Sequence, residues 1–270
     1  MKAWVKGIIA GAVIAVIGIA VLIGGLYMNG WKFPNVYYDF EMRTFTAENE
    51  NTDLVLNIDA GVIKTEYTDE DKIIIDYPYS EKYEMQITEE NGKLTLSHPE
   101  QHFKISFSSC NTNIPTTTIK LPRGKIYNMD IDMSAGTISL SDGDYGEVSI
   151  KMNAGTIKSD AINCQTFYCN MNAGTLSLEN LNCKDFTYKI NAGTVKVKSL
   201  VANNTKITMN AGTINLGFNN KQEEYTIRKN IDAGSFTVNG NRAENQNGTT
   251  EKVIDVSMNA GTVKLTFAEA

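Results

Sequence analysis

Histidine is scarce, cysteine is sparse and never closely paired, and no catalytic signature stands anywhere in the 270 residues. The two histidines, His98 and His102, share one proline-containing stretch without the convergent groups that a metal centre or an acid–base pair needs. Cys110, Cys164, Cys169 and Cys183 form no Cys-x-x-Cys, which removes zinc ribbons and thioredoxin-type redox sites. Gly-x-Ser-x-Gly, His-Glu-x-x-His and the phosphate-binding P-loop are also missing, so no cofactor, metal or catalytic residue is implied. Basic residues do not exceed acidic ones. The net charge is -6, and the first 29 residues hold Lys2 and Lys6 with no acid, so the rest is more acidic still. A nucleic-acid partner, whose phosphates require a basic face, is thereby disfavoured.

Long apolar runs are absent too, with one exception. Gly7 to Met28 is a 22-residue stretch without charge, about 33 Å long as a helix and enough to cross a hydrocarbon core of ~30 Å. It is longer than the apolar region of a cleaved leader and lacks a good small-x-small site, which predicts an uncleaved transmembrane helix. Lys2 and Lys6 before it place residues 1–6 in the cytoplasm and the remainder outside. Trp4, Tyr27 and Trp31 stand where interfacial aromatics belong. Gly7, Gly11 and Ala15 would let two such helices approach, the basis for a homo-oligomer through the span. Residues 29–51 then suit a stalk.

What the chain does have is a phrase. Met-Asn-Ala-Gly-Thr recurs unaltered at 152–156, 171–175, 209–213 and 258–262, with near copies elsewhere. Its glycines are Gly61, Gly136, Gly155, Gly174, Gly193, Gly212, Gly234 and Gly261, and from 136 to 212 they step by 19 residues. A strict period of this size predicts a solenoid. Counting from each glycine, apolar residues fill positions minus seven, minus five and minus three, as in Phe186, Tyr188 and Ile190, then plus two, four and seven, as in Val195, Val197 and Leu200. Alternation assigns these columns to the interior, together with Ala at minus one. The parity changes across the glycine, so Ala-Gly is a bulge or corner, where glycine supplies the positive φ or close approach.

The predicted architecture is all-β: a parallel β-solenoid, or β-helix, of about 19-residue coils over 127–267. An irregular region, 52–126, begins it and covers its first coil, with a hairpin at Asn91-Gly92 and an edge strand and turn at Thr117 to Gly124. Asn153, Asn172, Asn191, Asn210 and Asn259 form a column at minus two, expected to bond from coil to coil or to satisfy the corner backbone. Calcium would require carboxylates there instead. Cys164 and Cys183 occupy equivalent positions on neighbouring coils, as stacked thiols or a disulfide. Asp160 and Glu179 also stack, but Lys198 follows them in that column, which fits an outward charge ladder better than a glycan-cleaving acid pair. The step lengthens before Gly234 and Gly261, placing protruding loops at 217–230 and 239–252. The last coil would leave an edge that is shielded by those loops, engaged by a partner, or a pairing hazard.

The Ile119-x-Leu-Pro-x-Gly124 turn and the stacked φ-x-Ala-Gly-Thr-φ repeats, behind an apolar N-terminal segment, resemble the bacterial adhesin-like β-strand repeat family, domains of unknown function. The resemblance covers about 52–267. It implies a β-solenoid in a cell-envelope setting and brings no active site. The expected function is a non-enzymatic surface or interaction module displayed outside the membrane, with a protein or glycan partner in the envelope and the bilayer held through 7–28. An envelope-stress sensor or regulatory accessory is the alternative, and a glycan-cleaving β-helix enzyme the third.

Overall fold

In a computed structural model the described residues are 40–80, 84–98 and 116–268. The predicted span 7–28 and most of the stalk lie outside them, as do His102 and Cys110. Among the described residues no helix is long and apolar enough to cross a membrane.

The chain enters through β1 (Glu41–Thr46), runs along β2 (Asp53–Thr68), and makes β3 (Ile74–Tyr79), β4 (Gln86–Glu90), β5 (Lys93–Ser97) and β6 (Thr116–Pro122). The repeat region follows as β7 (Tyr127–Ser139), β8 (Gly143–Val201) and β9 (Asn204–Phe218). A single 3-10 turn, Gln222–Glu224, leads to β10 (Tyr225–Val238), β11 (Asn241–Arg242) and β12 (Lys252–Phe267). Corner glycines pair with corner glycines, Gly61 with Gly136, Gly136 with Gly155 and Gly193 with Gly212, in parallel register. The fold is thus all-β and largely parallel.

Each rung buries the alternating columns. Val148, Ile150 and Met152 lie inward before the corner and Ile157 after it, and the next rung repeats this with Phe167, Cys169, Met171 and Leu176. Phe167 and Phe186 meet edge-on at 5.9 Å between ring centroids, an arrangement aromatic pairs favour. One expectation is corrected at the corner: Ala154, Ala173, Ala192 and Ala211 are exposed, not inward. Inward side chains stop at Met152 and resume at Ile157, so the phase change begins at Ala154, one residue before the glycine. The ladder register likewise passes from Met133–Met152 to Ala135–Ala154 without a pair between. The corner glycines have φ between 132° and 155°. A Cβ on Gly155 would lie 2.0 Å from the carbonyl oxygen of Gly136, so the corners stack backbone on backbone.

The ends of the stack depart from chain order. At the first rung, β5 runs beside Asp53–Asn57 and β6 beside Val62–Thr68, each parallel, so two limbs share the outer edge of β2. β4 folds back on β5 through Asn91-Gly92, whose φ values of 53° and 77° suit a two-residue hairpin turn. β6 is not an edge strand as expected, because β3 pairs with its far side and β1 pairs with β3. At the other end β12 lies between β9 and β10. The spatial order of corners is therefore 193, 212, 261, 234. The 22- and 27-residue steps carry the chain past one level and back.

This rearrangement also corrects the loops. Residues 225–230 of the first expected loop are the start of β10. The second is turned back on the stack: Asn239-Gly240 is another two-residue turn into β11, which pairs with Thr237 and Val238, and Ile227 and Gln246 exchange backbone bonds of 2.9 Å. Thr249 and Thr250 hydroxyls donate to the carbonyls of Glu223 and Glu224. Neither segment stands free, and the terminal edge is shielded by the second.

Candidate functional site

Corners, ladder and outer faces are the parts of the domain that repeat. Asn172 Nδ2 donates to Asn153 Oδ1 at 2.8 Å, Asn191 to Asn172 at 3.0 Å, Asn210 to Asn191 at 2.7 Å and Asn259 to Asn210 at 3.0 Å. The ladder occupies the gap in backbone pairing at each corner and passes from rung 212 directly to rung 261. Both outermost rungs carry aspartate there instead, Asp59 and Asp232. An acceptor-only carboxylate cannot continue an amide ladder, so it fits only at an end.

His98 fills the space between the two limbs on the first rung. Its Nδ1 accepts from the Asp59 N–H at 3.1 Å, its own N–H donates to the Asn57 carbonyl at 3.1 Å, and its side chain is only 6% exposed. Burial pushes its pKa below the ordinary 6.5, against the raising effect of the Asp59 carboxylate 3.9 Å away. A proton on Nδ1 would remove the acceptor. Because the unfolded chain takes up that proton more readily than the folded one, His98 contributes stability that is full above about pH 6.5 and lost as the pH falls through the folded pKa. Urea midpoints measured from about pH 7 to about pH 5 are expected to fall more steeply in the wild type than in His98→Gln. Equal slopes would remove the role.

The thiols of Cys183 and Cys164 touch but are not bridged, and the hydrogen bond between them, with burial, pushes the Cys183 thiol up. Cys169 is buried in the inward column, and burial raises its pKa strongly. Neighbouring rungs lie ~4.8 Å apart, within the Cα range a disulfide accepts. Treatment with oxidised glutathione is expected to join Cys164 to Cys183 and to raise stability by about 2 to 3 kcal/mol, reversed by dithiothreitol. Peptide mass mapping that finds only mixed or intermolecular disulfides would refute it.

Glu179 is ion-paired with Lys198 on the next rung, and Asp160 is exposed. Neither is buried. Among the described residues no three histidine, cysteine or acidic side chains gather as a metal cage. A hydroxyl cluster under the first rungs escaped the sequence. Thr65 Oγ1 lies 3.0 Å from Ser141 Oγ and 3.3 Å from the Tyr145 hydroxyl, which donates to the Ser141 carbonyl at 2.9 Å. Burial pushes both Tyr67 and Tyr145 up, so the cluster stays neutral. Residues 76 or more apart come together there, and no local pattern announces it.

Comparison with known proteins matches residues 51–231 to the family model described as Toastrack DUF4097. No curated protein matches the chain. Among solved structures, a candidate cell adhesion protein from Clostridium sporogenes is similar at 19% identity and a TM-score of 0.41, over 85% of this chain and all of its own. A candidate adhesin from Bacteroides fragilis aligns at 13% identity and TM-score 0.39, over 85% of this chain and 98% of its own. One from Parabacteroides distasonis aligns at 10% and 0.44, over 84% and 97%.

Proposed function

The chain belongs to the Toastrack DUF4097 family, and from that premise we propose that it is a non-enzymatic interaction module of the cell envelope, holding an extended partner along the outer faces of its rungs. One observation carries this. Outward columns run in register through all eight rungs, while both ends of the stack are closed by the chain's own limbs. A partner adding a strand to β2 or β10 would have to displace those limbs, and the edges left unpaired among the described residues belong to short strands such as β1 and β4, whereas the outward faces of the described residues run the length of the stack. Repetition at ~4.8 Å suits a ligand that itself repeats, because weak contacts then add along its length. Anchoring by residues 7–28 would hold this face outside the membrane.

The test places a photo-crosslinking amino acid at Thr194 or Thr208, on open faces, and at Arg242 or Asn247, on the end cap, in the full chain within its own envelope. Face positions are expected to capture a partner and end positions not. Capture from the end positions alone would overturn the proposal.

A further inference from the structure

Three residues after each corner the chain points outward. Read in spatial order, that column is Lys64, Ser139, Lys158 and Ser177, then Lys196, Asn215, Lys264 and Thr237. Lysine stands on every second rung. The alternation exists only because β12 is inserted before β10; in chain order Asn215 would be followed by Thr237 and the rhythm would break. With rungs ~4.8 Å apart, neighbouring ammonium groups are based ~9.6 Å from one another.

These lysines are available. Lys158, Lys196 and Lys264 are exposed, and none forms an ion pair among the described residues, whereas Lys64 is tied to Glu66. Short polar side chains separate them along the row. On one side runs the threonine column, Thr156 through Thr213 and Thr262, each half-buried and each carrying a hydroxyl. On the other side the column is Asp160, Glu179, Lys198, Gly217 and Thr266. Glu179 and Lys198 neutralise each other, and Gly217 packs its backbone so closely that a Cβ would lie 2.2 Å from the Lys198 carbonyl oxygen. Asp160 is thus the one carboxylate of that flank without an ion pair among the described residues, and it adjoins Lys158 rather than Lys196 or Lys264.

We propose that this face binds a linear anionic glycan bearing one carboxylate per disaccharide, laid along the stack. An extended disaccharide spans about two rungs, so successive carboxylates meet successive lysines while the intervening sugar lies over Ser177 or Asn215 and hydrogen-bonds the threonine hydroxyls. A single exposed ammonium–carboxylate contact is weak, and affinity comes from several met at once on a rigid spacing. Denser polyanions fit less well. A polymer charged at every unit would set half its charges over uncharged rungs and others near Asp160 and Glu66. The proposal rests on the open-face function above and names its ligand class.

The test titrates the full chain with a hyaluronan decasaccharide, which carries one carboxylate per disaccharide, and with a neutral chitin oligosaccharide and polyphosphate as comparators. Hyaluronan is expected to bind saturably and more tightly than either. Lys196→Gln with Lys264→Gln should weaken it at least about tenfold and flatten the salt dependence, Asp160→Asn should strengthen it, and Lys151→Gln with Lys206→Gln, on the preceding face, should change it little. Thermal unfolding of each variant confirms that the fold is retained. Absence of hyaluronan binding, equal or tighter binding of polyphosphate, or an equal loss in the Lys151/Lys206 pair would overturn the ligand assignment. Face-directed crosslinking that persists in that case would leave the module's function standing; loss of both would remove both.

Discussion

Alanine at Gly174 is expected to destabilise the domain by about 4 kcal/mol or more, among the largest costs a single methyl can exact. Its φ of 140° is one that side chains rarely adopt, and the added Cβ would lie 2.0 Å from the Gly155 carbonyl oxygen and 2.8 Å from Met171 Cε. Methionine can swing aside. The carbonyl cannot, because its rung is fixed by ladders on both sides, so relief requires separating two rungs that share a core. Gly124→Ala is the control. Gly124 also has positive φ, 81°, but nothing lies within 4 Å of its missing Cβ, so only the intrinsic cost of about 1 to 2 kcal/mol applies. Urea denaturation of both variants separates the effects. Equal losses would show that conformation alone, and not contact between stacked corners, makes glycine obligatory there.

The same contact explains how much the sequence could reveal. A 19-residue period and a glycine at every parity change are local facts, and they suffice to define the rung, its corner and the asparagine column. Alternation fails at Ala154 because alanine is too small to declare a side; Met152 and Ile157 mark the true limits of the inward columns. The order of the last rungs is not periodic information at all. A repeat says that each rung needs neighbours, not which, and the connections at 219–224 and 239–251 are long enough to pass a level. The available signal was chemical: Asp232 and Ser235 depart from the phrase while Asn259 and Thr262 keep it, and divergent repeats belong at the ends of a stack. Asn239-Gly240 was a second legible hint, the same dipeptide as the recognised turn at 91–92. His98 and the Thr65–Ser141–Tyr145 cluster had no such hint, since each depends on strands brought together from distant parts of the chain. For the same reason the lysine row becomes regular only once rung 261 is set before rung 234.

Truncation after Glu251 tests that order most severely. If rungs followed the chain, losing β12 would merely shorten the stack and uncover the edge of β10. Here it removes an interior rung. Ile254, Val256, Met258, Val263, Leu265 and Phe267 are all buried, each worth about 1.5 to 3 kcal/mol of transfer free energy. Phe267 lies stacked on Phe218 at 4.9 Å and against Tyr225 at 5.7 Å, so its loss opens the core on both sides. β10 would lose its only parallel neighbour among the described residues, and a strand held by the two-pair β11 hairpin and one bridge to Gln246 cannot stay ordered alone. Amides of 225–238 are therefore expected to exchange at nearly unfolded rates in the truncated chain, while those of 127–201 remain protected. Re-docking of β10 on β9 would instead preserve protection, and a pair of cysteines distinguishes the two. In the intact chain Ser257 lies opposite Thr208 on one side and Asn230 on the other, so Thr208→Cys with Ser257→Cys should crosslink readily and Thr208→Cys with Asn230→Cys should not. Crosslinking of the second pair in the intact chain would mean that the rungs follow the sequence after all, and with that the alternation of Lys196, Asn215 and Lys264 would disappear.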